Sequence, residues 1–303
     1  MIMKLDEKEN AEESVLDFPK DGLCPDLWEK TLDGKSWTLK EMVRQQLLTV
    51  FENLCNFGKL NHKHMSPRVV GSITSNQYGE RSDVDLHIVM QEGHDIREFA
   101  RMTQQRFVEA FERLKSEAPE LCSVGKYPIQ VYYQPNPLQD LMSVGCYDMK
   151  ARQWLAGPEL KPAGYDPYKE LLPDARKQVD VLVDDIRSAI MKAREDAELY
   201  LSAVEEGSQA VPEFERQLKN SLFEAKHVWE LAKQSRQALS SPESIEDVKR
   251  LKNSRTWKIA DAGFKLMDKF GYLAVLRRLS QLDGEPDTAK AAEETVKAVE
   301  EEF

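Results

Sequence analysis

Hydrophobic and polar residues in the first half of the chain follow two different periods. Over residues 38–57 the apolar positions fall at helical spacing, and they are Leu39, Val43, Leu47, Phe51 and Leu54. Such spacing places one apolar stripe along an amphipathic helix. Thr38 and Glu41 match the capping box that opens many helices, so we predict that this helix begins at residue 38.

Strand patterns follow after a polar turn. Residues 68–70 are predicted to form a short strand. In residues 83–90, polar and apolar side chains alternate with the two-residue period of a strand. The positions on one side of this second strand are Val84, Leu86, Ile88 and Met90. Those on the other side are Asp83, Asp85 and His87. The alternation predicts a strand that buries its apolar side and presents two carboxylates and an imidazole on the other.

Two more elements complete an α/β pattern. Asp95 and Glu98 form a second capping-box pattern, and the apolar spacing behind them predicts a helix up to about Lys115. Residues 128–133 have the composition of another strand. Helix, strand, turn, strand, helix and strand in this order predict an α/β domain built on a mixed sheet.

The pattern changes in the middle of the chain. Residues 161–173 are rich in proline and turn residues, which places a domain boundary there. Beyond it the apolar period is helical in four stretches, which are 174–205, 212–239, 243–270 and 271–282. We therefore predict an α/β domain over 34–160, followed by an all-α helical bundle domain over 161–282.

Charge distinguishes the ends of the chain from its middle. The 303 residues carry a formal net charge of −11. Acids strongly outnumber bases in residues 1–33 and again in residues 283–303, so the segment between them is close to neutral. We predict an acidic N-terminal lead, 1–33, and an acidic C-terminal tail, 283–303, both solvated and partly disordered. For residues 288–302, which are rich in Ala, Glu and Lys, a frayed helix is the alternative. A second alternative is a tail that masks the basic surface of residues 213–280.

Composition excludes several classes of protein. No apolar run approaches the roughly 20 residues of a membrane-spanning helix, so we expect no membrane partner. The N-terminal residues are acidic and lack the apolar core of a secretory signal. The 4 cysteines are scattered, without a Cys-x-x-Cys pair. This pattern predicts free thiols in a reducing compartment, and we expect a cytoplasmic protein.

The segment from Gly71 to Asp85 carries the most specific chemistry of the sequence. A strand ends in Gly71-Ser72, a glycine-bearing turn follows, and the next strand opens with Asp83-x-Asp85. Glycine lets the backbone approach a ligand closely, and N–H groups together with the Ser72 hydroxyl suit phosphate oxygens. Two neighbouring carboxylates repel each other unless cations lie between them, and Mg²⁺ prefers carboxylate and phosphate oxygens. The pattern predicts a site for a metal ion and a phosphate-bearing substrate.

This segment resembles the signature of the DNA polymerase β-like nucleotidyltransferase superfamily, in which Gly-Ser, a spacer and a hydrophobic-flanked Asp-x-Asp follow one another. The residues that match that signature are Gly71, Ser72, Asp83 and Asp85, with Ser82 a common choice before the first aspartate. A Gly-Pro step at 157–158, before a helical region, is similar to the minimal and aminoglycoside-type members. The resemblance implies that the Gly-Ser turn, with Ser82, holds the triphosphate of an NTP, and that both aspartates bind Mg²⁺ or Mn²⁺.

The third acidic residue of that superfamily is missing from its expected place. In the family it lies on a neighbouring strand, helps to bind a metal ion and accepts the proton of the attacking hydroxyl. The matching position here holds Gln130, and a carboxamide is not a base at neutral pH. Three alternatives stay open. Asp140 or Asp148 takes this place, or the acceptor is a phosphate or carboxylate that needs no protein base, or the domain binds nucleotide without turning it over.

Further residues are candidates for contacts with substrate. Four cations would suit a triphosphate, although each is also explained as a surface charge: Arg81, Lys126, Lys150 and Arg152. Tyr132 and Tyr133 would either stack on a base or pack in the core. A basic segment of the helical region would suit RNA, with Lys249, Arg250 and Lys252.

Together these patterns predict a two-domain nucleotidyltransferase. It would transfer a nucleoside monophosphate from an NTP to an acceptor, which is a small molecule, a protein or RNA, and release pyrophosphate. Asp83 and Asp85 would hold the metal, with Gln130 beside them, and Gly71 and Ser72 the triphosphate. The alternatives are a catalytically silent nucleotide-binding or regulatory module of the same fold and an RNA-modifying nucleotidyltransferase. The nucleotide and the oligomeric state are left open.

Overall fold

The computed structural model describes residues 20–60, 62–79, 82–90, 96–239 and 242–303. Within these ranges the chain forms two compact units. One comprises residues 20–165 and 242–250, and the other comprises residues 166–239 and 251–303. The described part of the chain contains no helix that combines the length and the apolar character needed to cross a membrane.

The first unit is an α/β structure with a mixed sheet, as predicted. Two short strands, β1 (Trp28–Lys30) and β2 (Trp37–Leu39), pair with each other. Six further strands form the main sheet: β3 (Met65–Val70), β4 (Val84–Met90), β5 (Ser123–Val124), β6 (Tyr127–Gln134), β7 (Cys146–Asp148) and β8 (Gln153–Ala156). Their order is β5-β6-β4-β3-β7-β8, and only the β4–β6 pair is parallel.

Two helices share a hydrophobic core with one face of this sheet. They are α1 (Glu41–Phe57) and α2 (Ile96–Glu117). The alternation predicted for 83–90 is confirmed, because Leu86 and Ile88 are fully buried in that core while Asp85 on the opposite face is half-buried. Leu47 and Phe107 contribute from the two helices. Apolar residues at periods of two and 3.6 therefore meet on one side of the sheet.

The predicted capping box at the start of the first helix is wrong. Thr38 lies in β2 opposite Glu29 of β1, and its hydroxyl is hydrogen-bonded to Tyr147 at 3.1 Å. The helix begins at Glu41 instead, with Lys40 as its N-cap and no capping side chain. Thr38 therefore pairs in a strand, although the local pattern assigned it to the helix. The predicted start of the second helix at Asp95 lies outside the described residues.

The N-terminal lead predicted over 1–33 is wrong for its described part. Leu27 and Trp28 are almost completely buried in the core of the first unit. The Trp28 ring stacks on Trp154 with centroids 4.8 Å apart, and its indole N–H donates to the carbonyl of Ile73 at 2.9 Å. The acidic side chains dominate the charge count, but the apolar residues between them find partners in the core. The α/β unit therefore begins well before residue 34.

The second unit is helical, as predicted, with boundaries that differ in two places. Its helices are α3 (Pro173–Glu205), α4 (Val211–Leu239), α6 (Arg255–Lys269), α7 (Tyr272–Leu282) and α8 (Thr288–Glu300), and α5 (Ile245–Asn253) precedes α6. The stretch predicted as one helix over 243–270 is two helices. They separate at Ser254, whose hydroxyl accepts the N–H of Trp257 and caps α6.

The solvated tail predicted over 283–303 is also wrong, because α8 belongs to the helical core. Asp287 caps this helix by accepting the N–H groups of Ala289 and Lys290. Its buried face consists of Thr288, Ala291, Ala292, Thr295, Ala298 and Val299. Small residues at helical spacing bury one face while the acids occupy the other. The helical region therefore extends beyond the predicted end at residue 282.

The cysteines are free thiols, as predicted. Cys24, Cys55 and Cys146 are buried, and Cys122 is half-buried. Burial raises the pKa of the Cys55 thiol to about 12. This thiol is therefore protonated and poorly reactive at neutral pH.

Candidate active site

A glycine turn connects the end of β3 to the loop that leads towards β4. Gly71 has a φ of 84° and a ψ of −169°, a conformation that side-chain-bearing residues rarely adopt. A Cβ atom placed on this residue would collide with the carboxylate of Asp85. The Gly71 N–H donates to Ser143 Oγ at 3.0 Å. The missing side chain therefore lets the turn lie directly against the second aspartate of the motif.

The loop after this turn is held by residues from distant parts of the chain. Asn76 is buried, and its amide N–H₂ donates to the carbonyls of Lys20 at 3.1 Å and Lys161 at 2.9 Å. Its amide oxygen accepts the N–H of Lys161 at 2.9 Å. Sequence patterns did not single out Asn76, because asparagine in a loop usually indicates only a turn. These three hydrogen bonds hold the part of the loop around Asn76 in place.

Ser72 and Ser82 face each other across this loop. Their hydroxyl oxygens are 2.9 Å apart, and Ser82 Oγ also accepts the N–H of Gly79 at 2.9 Å. Ser72 and Ser82, two of the residues that the family resemblance assigns to the triphosphate, are therefore in contact. Arg81, a cation predicted for the same task, lies outside the described residues.

The two aspartates lie at the start of β4 on its open face, the side opposite the hydrophobic core. Asp85 is opposite Val70 of β3 on one side and Gln130 of β6 on the other. Asp83 precedes the strand by one residue, and both aspartates are half-buried. Both carboxylates are hard oxygen donors beside the same residue of β6, since Gln130 is opposite Asp85 and hydrogen-bonded to Asp83, and Asp85 lies next to the glycine turn.

Gln130 lies beside the aspartates, where the strand alignment predicts it. Its Nε2 donates a hydrogen bond to Asp83 Oδ2, and its Oε1 accepts one from the hydroxyl of Tyr132. A neutral amide thus occupies the place where the family resemblance implies a third carboxylate. The amide stabilises the charge of Asp83 by donation, whereas a carboxylate there would repel it.

Asp140 and Asp148, the two predicted substitutes for a third carboxylate, are engaged elsewhere. The Asp140 carboxylate is fully buried, 2.7 Å from His87 Nδ1 and 3.2 Å from an Arg68 guanidinium nitrogen. Asp148 accepts the hydroxyl of Ser66 at 2.8 Å and the backbone N–H groups of the residues that follow β7. The buried pair of Asp140 with His87 was not predicted, since nothing local connects residues so far apart in sequence.

Two of the predicted cations also lie away from the aspartates. Lys150 donates to the carbonyl of Met65, at the end of β3 opposite to Gly71, at 2.6 Å. Arg152 pairs with Glu41 at the start of α1. In the helical region, Arg250 pairs with Asp247 of its own helix at 2.7 Å. RNA binding by the basic segment stays a prediction.

The donor set of this site fits magnesium. Mg²⁺ in nucleotide sites is typically bound by one or two carboxylates, and substrate phosphates and water complete its shell. Asp83 and Asp85 supply two carboxylates, and Ser72 directly follows the Gly71 turn that lies against Asp85. In the described part of the chain, no three or more His, Cys, Asp or Glu side chains come together as a metal-binding group. The residues present therefore suit a metal ion that arrives with a phosphate ligand.

Comparisons with known proteins identify no relative from which the role of these residues could be inferred. The chain matches no family model, no curated protein and no solved structure. The interpretation of the site therefore rests on its geometry and on the Gly-Ser…Asp-x-Asp motif itself.

Proposed function

We propose that this protein is a metal-dependent nucleotidyltransferase that transfers a nucleoside monophosphate from an NTP to an acceptor and releases pyrophosphate. One observation carries the proposal. The Gly71 turn lies against the Asp85 carboxylate, and Asp83 accepts a hydrogen bond from Gln130, the residue opposite Asp85 on β6. A turn suited to phosphate and a pair of carboxylates suited to Mg²⁺ therefore meet at one point.

The residues of the site have separate tasks in this proposal. Asp83 and Asp85 hold Mg²⁺, and the Gly71-Ser72 turn with Ser82 binds the triphosphate through N–H and hydroxyl donors. When bound, Mg²⁺ neutralises phosphate charge that builds up during an in-line displacement. A nucleophilic oxygen of the acceptor forms a bond to the α-phosphorus, and the bond to the bridging oxygen breaks, so that pyrophosphate leaves with the electron pair.

Gln130 gives this site a distinctive property. Its amide orients Asp83 through a hydrogen bond but accepts no proton from an attacking hydroxyl. An acceptor that is already anionic, such as a phosphate or carboxylate, loses no proton when it attacks. We therefore expect such acceptors to react faster than neutral alcohols.

The second candidate function is a nucleotide-binding module without turnover. The observation that favours it is the same contact, in which a neutral amide occupies the place of a third carboxylate next to Asp83. Such a module would bind a metal–NTP complex with the same turn and aspartates and release no pyrophosphate.

A pyrophosphate-release assay separates the two functions. The wild-type protein is incubated with each of ATP, GTP, CTP and UTP, with Mg²⁺ or Mn²⁺, and with pools of phosphorylated, carboxylated and hydroxylated small molecules, proteins and RNA. Release that disappears in Asp83→Asn, while the charge-altered control Asp185→Asn on the exposed face of α3 keeps it, supports the transferase. Clear NTP binding without release in any pool favours the silent module.

A further inference from the structure

The open face of the sheet carries polar and aromatic side chains in rows across the strands. Asp85 of β4 and Gln130 of β6 lie in one row, and His87 and Tyr132 lie in the next. Successive rows on one face are about 7 Å apart along a strand. The His87–Tyr132 row is therefore about 7 Å from the aspartate row along the strands.

The structure separates two tyrosines that the sequence left equivalent. Tyr133 is 6% exposed and its ring stacks on Phe107 in the core, with ring centroids 6.1 Å apart. Tyr132 is 41% exposed on the open face. A large aromatic ring presented to solvent beside a polar site is a feature of surfaces that bind planar ligands.

The Tyr132 ring is held in place by its neighbours. Its hydroxyl donates to Gln130, and the ring meets His87 edge-to-face, with centroids 5.4 Å apart and an interplanar angle of 72°. His87 is fixed in turn by the buried Asp140 carboxylate, which also accepts a hydrogen bond from Arg68. An aromatic ring fixed before binding loses little conformational entropy when a ligand stacks on it.

We propose that Tyr132 is the surface on which the nucleobase of the NTP stacks. The inference rests on the proposed function, which places the triphosphate at Gly71 and Ser72. With the triphosphate at Gly71 and Ser72, a nucleotide that lies across the open face would place its base at the His87–Tyr132 row. The hydroxyl bond to Gln130 links this surface to Asp83, so that base and metal are bound by one connected group of side chains.

Two substitutions separate stacking from support of the aspartates. Tyr132→Leu removes the ring, whereas Tyr132→Phe keeps the ring and removes only the hydroxyl that binds Gln130. Calorimetry measures the binding of ATP, GTP, CTP and UTP in Mg²⁺, and of inorganic tripolyphosphate, which has no base. Circular dichroism confirms that each variant is folded, and Tyr132 is exposed enough for both to be tolerated.

We expect Tyr132→Leu to weaken the tightest-binding NTP by about tenfold, since an aromatic side chain contributes on this order when a base stacks on it. Both variants lack the hydroxyl that binds Gln130, so Tyr132→Leu and Tyr132→Phe should bind tripolyphosphate equally. Tyr132→Phe, which keeps the ring, should bind NTP about tenfold more tightly than Tyr132→Leu.

Three results would overturn the proposal, and they are distinguishable. If Tyr132→Leu weakens NTP and tripolyphosphate equally, the residue acts on the phosphate and metal site and not on the base. If NTP binding is unchanged in Tyr132→Leu but is lost in Asp83→Asn, the proposed function stands and stacking on Tyr132 does not. If the wild type binds no NTP in Mg²⁺, the proposed function and the stacking surface fail together.

Discussion

The two units of the chain use their polar side chains in different ways. In the α/β unit, hydrogen bonds join residues far apart in sequence, as between Arg68 and Asp140 or between Asn76 and Lys161. In the helical unit, many ion pairs join residues three or four positions apart on one exposed helix face. Examples are Arg194 with Glu198 and Arg216 with Glu213.

This difference distinguishes the surroundings of the candidate site from the surface of the helical unit. Pairs on one helix face form as soon as the helix forms, and they add little stability in solvent. Long-range polar contacts in a buried setting hold loops and side chains in fixed positions at a cost in desolvation. In this protein several of them lie at the segment from Gly71 to Asp85 and on the open face beside it. The polar network therefore positions the candidate site, whereas the polar pairs of the helical unit mainly keep its surface hydrated.

The largest expected effect comes from breaking the buried network. Asp140→Ala leaves His87 and Arg68 without their shared carboxylate, and loss of one partner of a buried pair costs about 3–5 kcal/mol. The matched change in the helical unit is Glu198→Ala, which breaks its exposed pair with Arg194 and should cost no more than about 0.5 kcal/mol. Urea unfolding of both variants measures the difference. Equal losses would show that the two kinds of polar contact do not differ.

A smaller effect is expected at the glycine turn. Gly71→Ala forces a side chain into a left-handed conformation and against Asp85. Gly34→Ala also places a side chain at a positive φ, of 68°, but with open space around the new methyl group. Left-handed strain costs about 1–2 kcal/mol in each variant, and overpacking adds about 1–3 kcal/mol at residue 71.

Unfolding and NTP binding should respond differently in these two glycine variants. Both should be less stable than the wild type in urea, with Gly71→Ala the less stable of the two. Only Gly71→Ala should lose NTP binding, because its methyl group displaces a carboxylate of the site. If Gly34→Ala loses binding to the same degree, general destabilisation explains the effect and the turn has no special role.

The smallest expected effect concerns a surface ion pair at the start of α1. Hydrogen bonds from Arg44 and Gln45, with the charge of Arg152, lower the pKa of Glu41 from 4.5 to about 2. Because the pKa is lower in the folded state, the pair stabilises the fold above pH 4.5 and loses this contribution as the pH falls to about 2. Urea midpoints of wild type and Glu41→Gln should differ slightly at pH 6 and converge near pH 2. A difference that persists at pH 2 contradicts this assignment.

The sequence predicts the local features of the α/β unit well. Alternation over 83–90 identifies the buried and open faces of β4, because the strand period is a property of the backbone. The place of Gln130 beside Asp85 was expected only from the family resemblance, because alternation within a strand does not fix the register between two strands. A turn is predicted at Gly71 because glycine adopts backbone conformations that few other residues reach.

Other features depend on contacts between distant residues and could not be predicted. Asp140 pairs with His87 from a short 3₁₀ helix (Gln139–Met142), and Asn76 binds two segments that only the folded chain brings together. Charge predicts that the N-terminal lead is solvated, although its Leu27 and Trp28 supply apolar side chains that fill a core. Charge describes the surface of a segment, and burial is decided by the apolar residues between the charges.

The central claim is that Asp83 and Asp85 bind a metal–NTP complex together with the Gly71 turn. Calorimetric titration of ATP, GTP, CTP and UTP tests it most directly, with Mg²⁺ and with EDTA, in the wild type and in Asp83→Asn/Asp85→Asn. The control Asp185→Asn/Glu206→Gln removes the same number of charges from an exposed helix and its end. We predict that at least one NTP binds in Mg²⁺ to the wild type and to the control, and that EDTA or the Asp83/Asp85 change abolishes it. Binding that survives in Asp83→Asn/Asp85→Asn would contradict the account.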